Sequence, residues 1–162
     1  MLVYGSRNGK FVREGYDEME DYKVYEREVY YYETDRMGIV HHSNYIKWFE
    51  EARIDFLKQL GYPFKRIEDE GIMIPVLSVD CKYRKAMIFG DTFQVKVIPG
   101  NFNGIKLTMK YEIRKKGEED ICTTGESSHC FVGNDMKPIL IRKSHLELYN
   151  VFKGCFHSKK TL

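Results

Sequence analysis

The residues best placed to do chemistry lie in one short run, Glu33-Thr34-Asp35-Arg36-Met37-Gly38-Ile39-Val40-His41-His42. The run reads as a tight acidic turn between a strand and a long amphipathic helix. Its carboxylate Asp35 falls just ahead of the helix N-terminus, where free backbone N–H groups and the macrodipole favour developing negative charge. Those are the needs of acyl chemistry. A carboxylate with a reference pKa of about 3.9 is ionised at neutral pH. It can act on a carbonyl about 3 Å away, while preorganised N–H donors hold the oxyanion. An aspartate at this place also has an ordinary job, capping a turn or offsetting the dipole. The residues alone leave both readings open.

The helix that must position this turn is legible from its spacing. Tyr45, Phe49, Ala52, Phe56 and Leu60 recur at steps of four, three, four and four, and Trp48 and Leu57 widen the stripe. Lys47, Glu51, Asp55 and Lys58 fall elsewhere, as a half-buried helix requires. Ser43 or Asn44 is the expected N-cap, and Gly61 with Pro63 ends the helix. Gly38 supplies a backbone conformation closed to larger residues, letting the turn fold Asp35 back towards the helix. Glu50 is a second carboxylate, one and a half turns inside the helix. Its distance from the N-terminal donors makes a salt bridge to Arg53 its expected role.

Around this unit the chain reads as strands. Val24–Tyr32 is rich in valine and tyrosine and precedes the turn. After the helix come a helical turn at Phe64–Glu70 and a strand at Ile72–Arg84, where Leu77, Val79, Cys81 and Tyr83 alternate with Ser78, Asp80 and Lys82. Asp91–Pro99, Ile105–Arg114 and Ile121–Val132 follow, the middle one with a strict apolar and polar alternation. One buried face and one wet face indicate an antiparallel sheet. Lys143–Val151 is expected to form a short C-terminal helix. One strand, one long helix and four more strands predict an α+β domain over residues 24–135 in which a curved sheet covers the helix. Residues 1–23 form an extension without sustained period, and 136–162 a C-terminal segment.

The run Thr34-Asp35-x-x-Gly38-x-Val40-x-His42-x-Asn44-Tyr45, followed by Glu50-x-Ala52-Arg53, resembles the signature of the 4-hydroxybenzoyl-CoA thioesterase family of hotdog-fold proteins. It is most similar to the small bacterial acyl-CoA thioesterases. The resemblance implies the hotdog fold, a five-stranded antiparallel sheet wrapped around one long helix, and assembly into homodimers or homotetramers. It implies that Asp35 is the catalytic carboxylate, either attacking the thioester carbonyl or drawing a proton from water. His42 is implied at the helix N-terminus, polarising or orienting the substrate, while the adjacent His41 points elsewhere. Asn44 matches the motif and is expected to hold the acidic loop; Tyr45 matches as a core anchor. Tyr32 is a candidate to line the acyl pocket or to pack in the core. Glu50 ranks second as a carboxylate because some hotdog thioesterases use one on the helix. No metal or redox cofactor is implied, coenzyme A entering only as part of the substrate. The neighbouring readings are an acyl-carrier-protein thioesterase and a hotdog module that binds acyl-CoA without turnover.

Composition narrows the field further. The 162 residues suit one domain, and 26 basic against 24 acidic residues leave a net charge of +2, against a general nucleic-acid binder. Cys81, Cys122, Cys130 and Cys155 show no Cys-x-x-Cys or metal spacing and read as reduced thiols of a cytoplasmic protein. No apolar run approaches a transmembrane span and no signal peptide is evident. Gly-x-Gly-x-x-Gly, Walker and Gly-x-Ser-x-Gly motifs are missing. Coenzyme A phosphates need cations, for which Lys82, Arg84 and Lys85 are the first candidates and the face Lys106, Lys110, Arg114 the second. Ser127 and Ser128 beside His129 suggest a nucleophile and base, but neighbours on a strand face opposite ways, so this pairing is set aside.

Overall fold

A computed structural model describes residues 22–156 and the backbone alone of 6–7 and 10–11. Those short pieces, β1 (Ser6–Arg7) and β2 (Lys10–Phe11), pair antiparallel with each other. The rest of the expected N-terminal extension up to 21 and the tail after 156 lie outside the described residues.

Alternation builds the main sheet. In β6 (Lys106–Lys115), Leu107, Met109, Tyr111 and Ile113 are buried while Lys106 and Lys110 are exposed, the period of two that a half-wet sheet demands. Its neighbours β5 (Thr92–Phe102) and β7 (Ile121–Cys130) continue that inner face with Phe93, Val95 and Val97 on one side and Gly125, Ser127 and His129 on the other. The edges are β3 (Tyr25–Glu28) and β4 (Val76–Tyr83), giving the order β3-β5-β6-β7-β4 with every pairing antiparallel. This is the five-stranded α+β arrangement that the element order predicts.

Helix α1 (Ser43–Gln59) lies across the inner face. Trp48 stacks on Phe93 at 3.9 Å and Phe49 on Tyr111 at 4.4 Å between ring centroids. The expected stripe of Tyr45, Trp48, Phe49, Ala52, Phe56 and Leu57 is buried, with Leu60 only partly so. Each such large side chain contributes about 1.5–3 kcal/mol. Close contact depends on Gly125, where a Cβ would overlap the Phe49 ring. The helix ends as its sequence predicts: Gly61 takes φ +81, its N–H bonds Lys58 O, and Tyr62 N–H bonds Leu57 O.

Several boundaries differ from the sequence reading. The first main strand stops at Glu28, and Tyr31–Glu33 instead forms a 3-10 turn. Tyr30, Tyr31 and Tyr32 are therefore exposed rather than paired in the sheet. The Ile72–Arg84 strand begins at Val76, and its alternation buries neither face, because β4 is an edge with one neighbour. β5 runs past Pro99 to Phe102 through a bulge. β6 lies one residue later than expected and β7 ends at Cys130. Helix α2 (Phe64–Asp69) matches the expected turn. The expected C-terminal helix is two, α3 (Ile141–Ser144) and α4 (Leu146–Cys155). Ile141, Leu148 and Phe152 join the main core, so α3 and α4 pack against it.

Candidate active site

The acidic turn is a closed loop with a rigid base. Thr34 and Val40 form an antiparallel bridge, Asp35 N–H bonds Ile39 O at 2.9 Å, and Gly38 N–H bonds Asp35 O at 2.9 Å. Gly38 takes φ +75, the left-handed conformation that the turn requires. One Asp35 oxygen accepts the Met37 N–H at 2.8 Å, which fixes the carboxylate's rotamer. Glu33 O closes the base by accepting His41 N–H at 2.8 Å and Asn44 Nδ2 at 2.8 Å. Asn44 thus ties the loop to the first turn of α1.

The helix start is capped differently from the expectation. His42 occupies the N-cap position without a side-chain bond, and Ser43 and Asn44 both lie inside the helix. His41 does the capping: its Nδ1 accepts Ser43 N–H at 3.3 Å and lies 2.8 Å from Ser43 Oγ, and its carbonyl accepts Asn44 N–H at 3.0 Å. Among the described residues no acceptor takes the His42 N–H. Asn44 is buried because its amide turns back to the loop, so it cannot serve as a cap.

Asp35 and His42 face one cavity of about 230 Å³, shared with Tyr45, Tyr83, Arg84 and Lys85. Tyr45 and Tyr83 meet edge to face at 5.2 Å, and Tyr83 OH donates to His42 O at 3.0 Å. Burial pushes the hydroxyls of both Tyr45 and Tyr83 up to about 12, so both stay protonated donors at neutral pH. Lys85 also pairs with Asp120. A carboxylate, the histidine at the helix start, two tyrosines and two cations therefore surround one opening. Tyr83 was visible in the sequence only as a strand residue; its contact with the helix start needs the fold.

The other expected site residues are placed elsewhere. Tyr32 does not line the cavity: it is 78% exposed and leans on Tyr30 at 5.4 Å, because the chain leaves the sheet before reaching it. Glu50 is on a separate cavity of about 90 Å³ with Arg53 and Ser127, at 3.9 Å from the Arg53 guanidinium. Lys82 lies outside the Asp35 cavity, unlike Arg84 and Lys85. The second cationic group is dispersed: Lys110 approaches Glu126 at 3.9 Å, Arg114 pairs with Glu112 at 2.9 Å, and Lys106 borders a third cavity of about 220 Å³.

The reason for setting aside the Ser–His pair needs correction, though the conclusion stands. Ser128 does face away, but Ser127 and His129 are two residues apart and share the inner face. Ser127 Oγ lies 2.7 Å from His129 Nε2 and 2.7 Å from Tyr111 OH, and Arg53 Nη1 donates to that hydroxyl at 3.4 Å. Burial, and secondly the Arg53 cation, push His129 down to about 4. Its charged neighbour is thus a cation, whereas a Ser–His nucleophile needs a carboxylate to orient the imidazole. The cluster ties the sheet to α1.

The thioesterase-like superfamily matches residues 29–147. A Bacillus subtilis chain that carries a provisional acyl-CoA thioesterase name is 36% identical over 130 residues, covering 79% of this chain and 93% of that one. A solved Aquifex aeolicus structure superposes with a TM-score of 0.74 at 35% identity, covering 81% of this chain and 99% of the other. The Staphylococcus aureus DHNA-CoA thioesterase superposes with a TM-score of 0.76 at 29% identity, over 80% and 87% of the two chains. This chain belongs to the thioesterase-like superfamily and is a hotdog-fold thioester hydrolase.

Proposed function

We propose that the protein is an acyl-CoA thioesterase of the small bacterial, 4-hydroxybenzoyl-CoA thioesterase type. It converts acyl-CoA and water to a carboxylic acid and free coenzyme A. The observation that carries this reading is the convergence of Asp35, His42 at the helix start, Arg84 and Lys85 on one cavity. Asp35 acts in one of two ways. As general base it takes a proton from water, the hydroxide adds to the thioester carbon, and the C–S bond breaks as the carbonyl reforms. As nucleophile it adds directly, expels the thiolate as an anhydride forms, and water then cleaves the anhydride. In both routes the carbonyl oxygen becomes an anion beside the start of α1, where the His42 amide receives it. In the general-base route the proton taken by Asp35 passes to the thiolate, with the His42 imidazole as its relay, so that the carboxylate is regenerated. Arg84 and Lys85 serve the coenzyme A phosphates. The reaction calls for no metal or redox cofactor.

Further features fit the same reading. Among the described residues no helix is long and apolar enough to cross a membrane, and we assign the protein to the cytoplasm. The edge strand β4 leaves Val76, Leu77, Val79 and Tyr83 exposed, with one backbone side unpaired among the described residues. A second copy added there antiparallel extends the sheet and makes a homodimer, from which a tetramer can be built. Nucleic acid is not a partner in this reading.

Thiol release from short, long and aromatic acyl-CoAs, run beside the same acyl groups on acyl carrier protein, tests the proposal. Turnover on coenzyme A esters supports it. Turnover on the carrier protein alone replaces the donor, and binding without release of thiol overturns catalysis. Single turnover in H₂¹⁸O identifies the nucleophile where label enters the Asp35 carboxylate; label in the product acid alone fits the general base and also water attacking the acyl side of the anhydride.

A further inference from the structure

Glu33 stands two residues before Asp35 and is only 3% exposed. All of its acceptors are occupied. Oε1 takes Arg27 Nη2 at 2.6 Å and Trp48 Nε1 at 2.8 Å; Oε2 takes Arg27 Nη1 at 3.0 Å and Tyr30 N–H at 2.8 Å. Its carbonyl takes His41 N–H and Asn44 Nδ2, both at 2.8 Å. One residue therefore fastens β3 through Arg27, α1 through Asn44 and Trp48, and both limbs of the Asp35 loop through Tyr30 and His41.

Arg27 is itself immobilised. Glu51 accepts its Nε at 2.9 Å and its Nη2 at 3.1 Å, and the guanidinium lies 4.4 Å from the Tyr30 ring centroid and 5.1 Å from that of Phe93. Tyr25 OH holds the same Glu51 carboxylate at 2.8 Å. Burial alone would raise the pKa of Glu33; Arg27, the Trp48 indole and the Tyr30 amide outweigh it and hold the carboxyl below its usual range. The pair stays ionised at neutral pH. This is more fastening than a surface turn needs, and it converges on the residue that sets where the Asp35 loop leaves the sheet.

We propose that Glu33, clamped by Arg27, is the positioning residue for catalysis: it fixes the Asp35 loop against the start of α1 before substrate arrives. It touches no substrate and acts through Asp35 and His42. The inference rests on the thioesterase reading for its effect on turnover, and on the loop's hydrogen bonds for its effect on structure. A displacement of about 1 Å at a reacting group costs on the order of 10²-fold in rate. Loosening the loop therefore lowers kcat and leaves KM, set by the coenzyme A contacts, little changed.

The test is Glu33→Gln, measured by steady-state kinetics, by hydrogen exchange at the Asp35, Gly38 and His41 amides, and by the emission of Trp48, the chain's single tryptophan. Where Glu33→Gln fails to fold because Arg27 loses a partner, Arg27→Met with Glu33→Gln removes both charges and serves instead. Phe152→Leu, in the aromatic cluster around α4, controls for general destabilisation. The expected result is kcat lower by about 10²-fold at similar KM, with faster exchange confined to the loop. Phe152→Leu is expected to keep wild-type turnover below its melting temperature. Turnover within about twofold of wild type, unchanged loop exchange, or an equal kcat loss in Phe152→Leu would overturn the proposal. Faster loop exchange in a protein that hydrolyses no thioester would uphold the positioning and overturn the proposed reaction.

Discussion

Two polar clusters sit along helix α1, and they differ in what their neighbours leave open. At the helix start, Asp35, His42, Arg84 and Lys85 border a cavity of about 230 Å³, and the His42 amide has no acceptor among the described residues. About three turns further on, Arg53, Tyr111, Ser127 and His129 are linked side chain to side chain beneath the helix. The second cluster contains the more familiar pair, a serine bonded to a histidine. Its hydroxyl is shared with a tyrosine, and its imidazole has a cation for a charged neighbour. Open space borders both clusters, about 230 Å³ at the first and about 90 Å³ beside Arg53 and Ser127 at the second. In the second, the buried His129 Nδ1 has no partner among the described residues. The first differs in bringing a carboxylate and two cations to its larger cavity. The lower cluster's mutual hydrogen bonds instead hold sheet and helix together.

The contrast predicts that the closed cluster governs stability and the open one governs turnover. The largest stability effect is expected on acidification. His129 is held near 4 in the folded protein against 6.5 in the unfolded chain, so the unfolded state binds more protons between those values. His129 therefore contributes stability that is fully present above about pH 6.5 and lost as the pH falls towards 4, on the order of 3 kcal/mol in all. Urea unfolding at pH 7 and pH 5 reads a little over half of it, on the order of 2 kcal/mol, and His129→Gln should flatten the difference. Next, Ser127→Ala leaves Tyr111 and His129 without their shared partner and is expected to cost about 1–3 kcal/mol in urea unfolding. Its turnover should stay near wild type. The smallest effect is expected from Tyr83→Phe at the open cluster, which removes the bond to His42 O. That bond is worth about 0.5–1.5 kcal/mol, so turnover should fall only several-fold. A change in kcat larger than that would make Tyr83 part of the chemistry.

The two clusters were not equally legible in the sequence. The stripe of α1, the alternation of β6 and the positive φ of Gly38 each follow from local spacing, and the structure has them where the residues put them. Asp35 and His42 lie on one continuous segment, so their proximity could be read from the chain. Tyr32 was misplaced because a run of tyrosines reads as a strand, while the bonds of Glu33 bend it into a 3-10 turn. Alternation in β4 implied a buried face, since position at the sheet edge depends on strand order and not on period. The closed cluster needed three elements at once. Its links join α1 to β6 and β6 to β7, and the fit of Phe49 over Gly125 that brings them together has no local signal.

Asp35→Asn tests the division between the clusters most directly, assayed beside Ser127→Ala on the same acyl-CoA, with binding and melting temperature followed in both. The expected result is a loss of about 10²–10⁴-fold in kcat for Asp35→Asn with binding retained, and near wild-type kcat for Ser127→Ala. Full turnover in Asp35→Asn, or its collapse in a folded Ser127→Ala protein, would contradict the account.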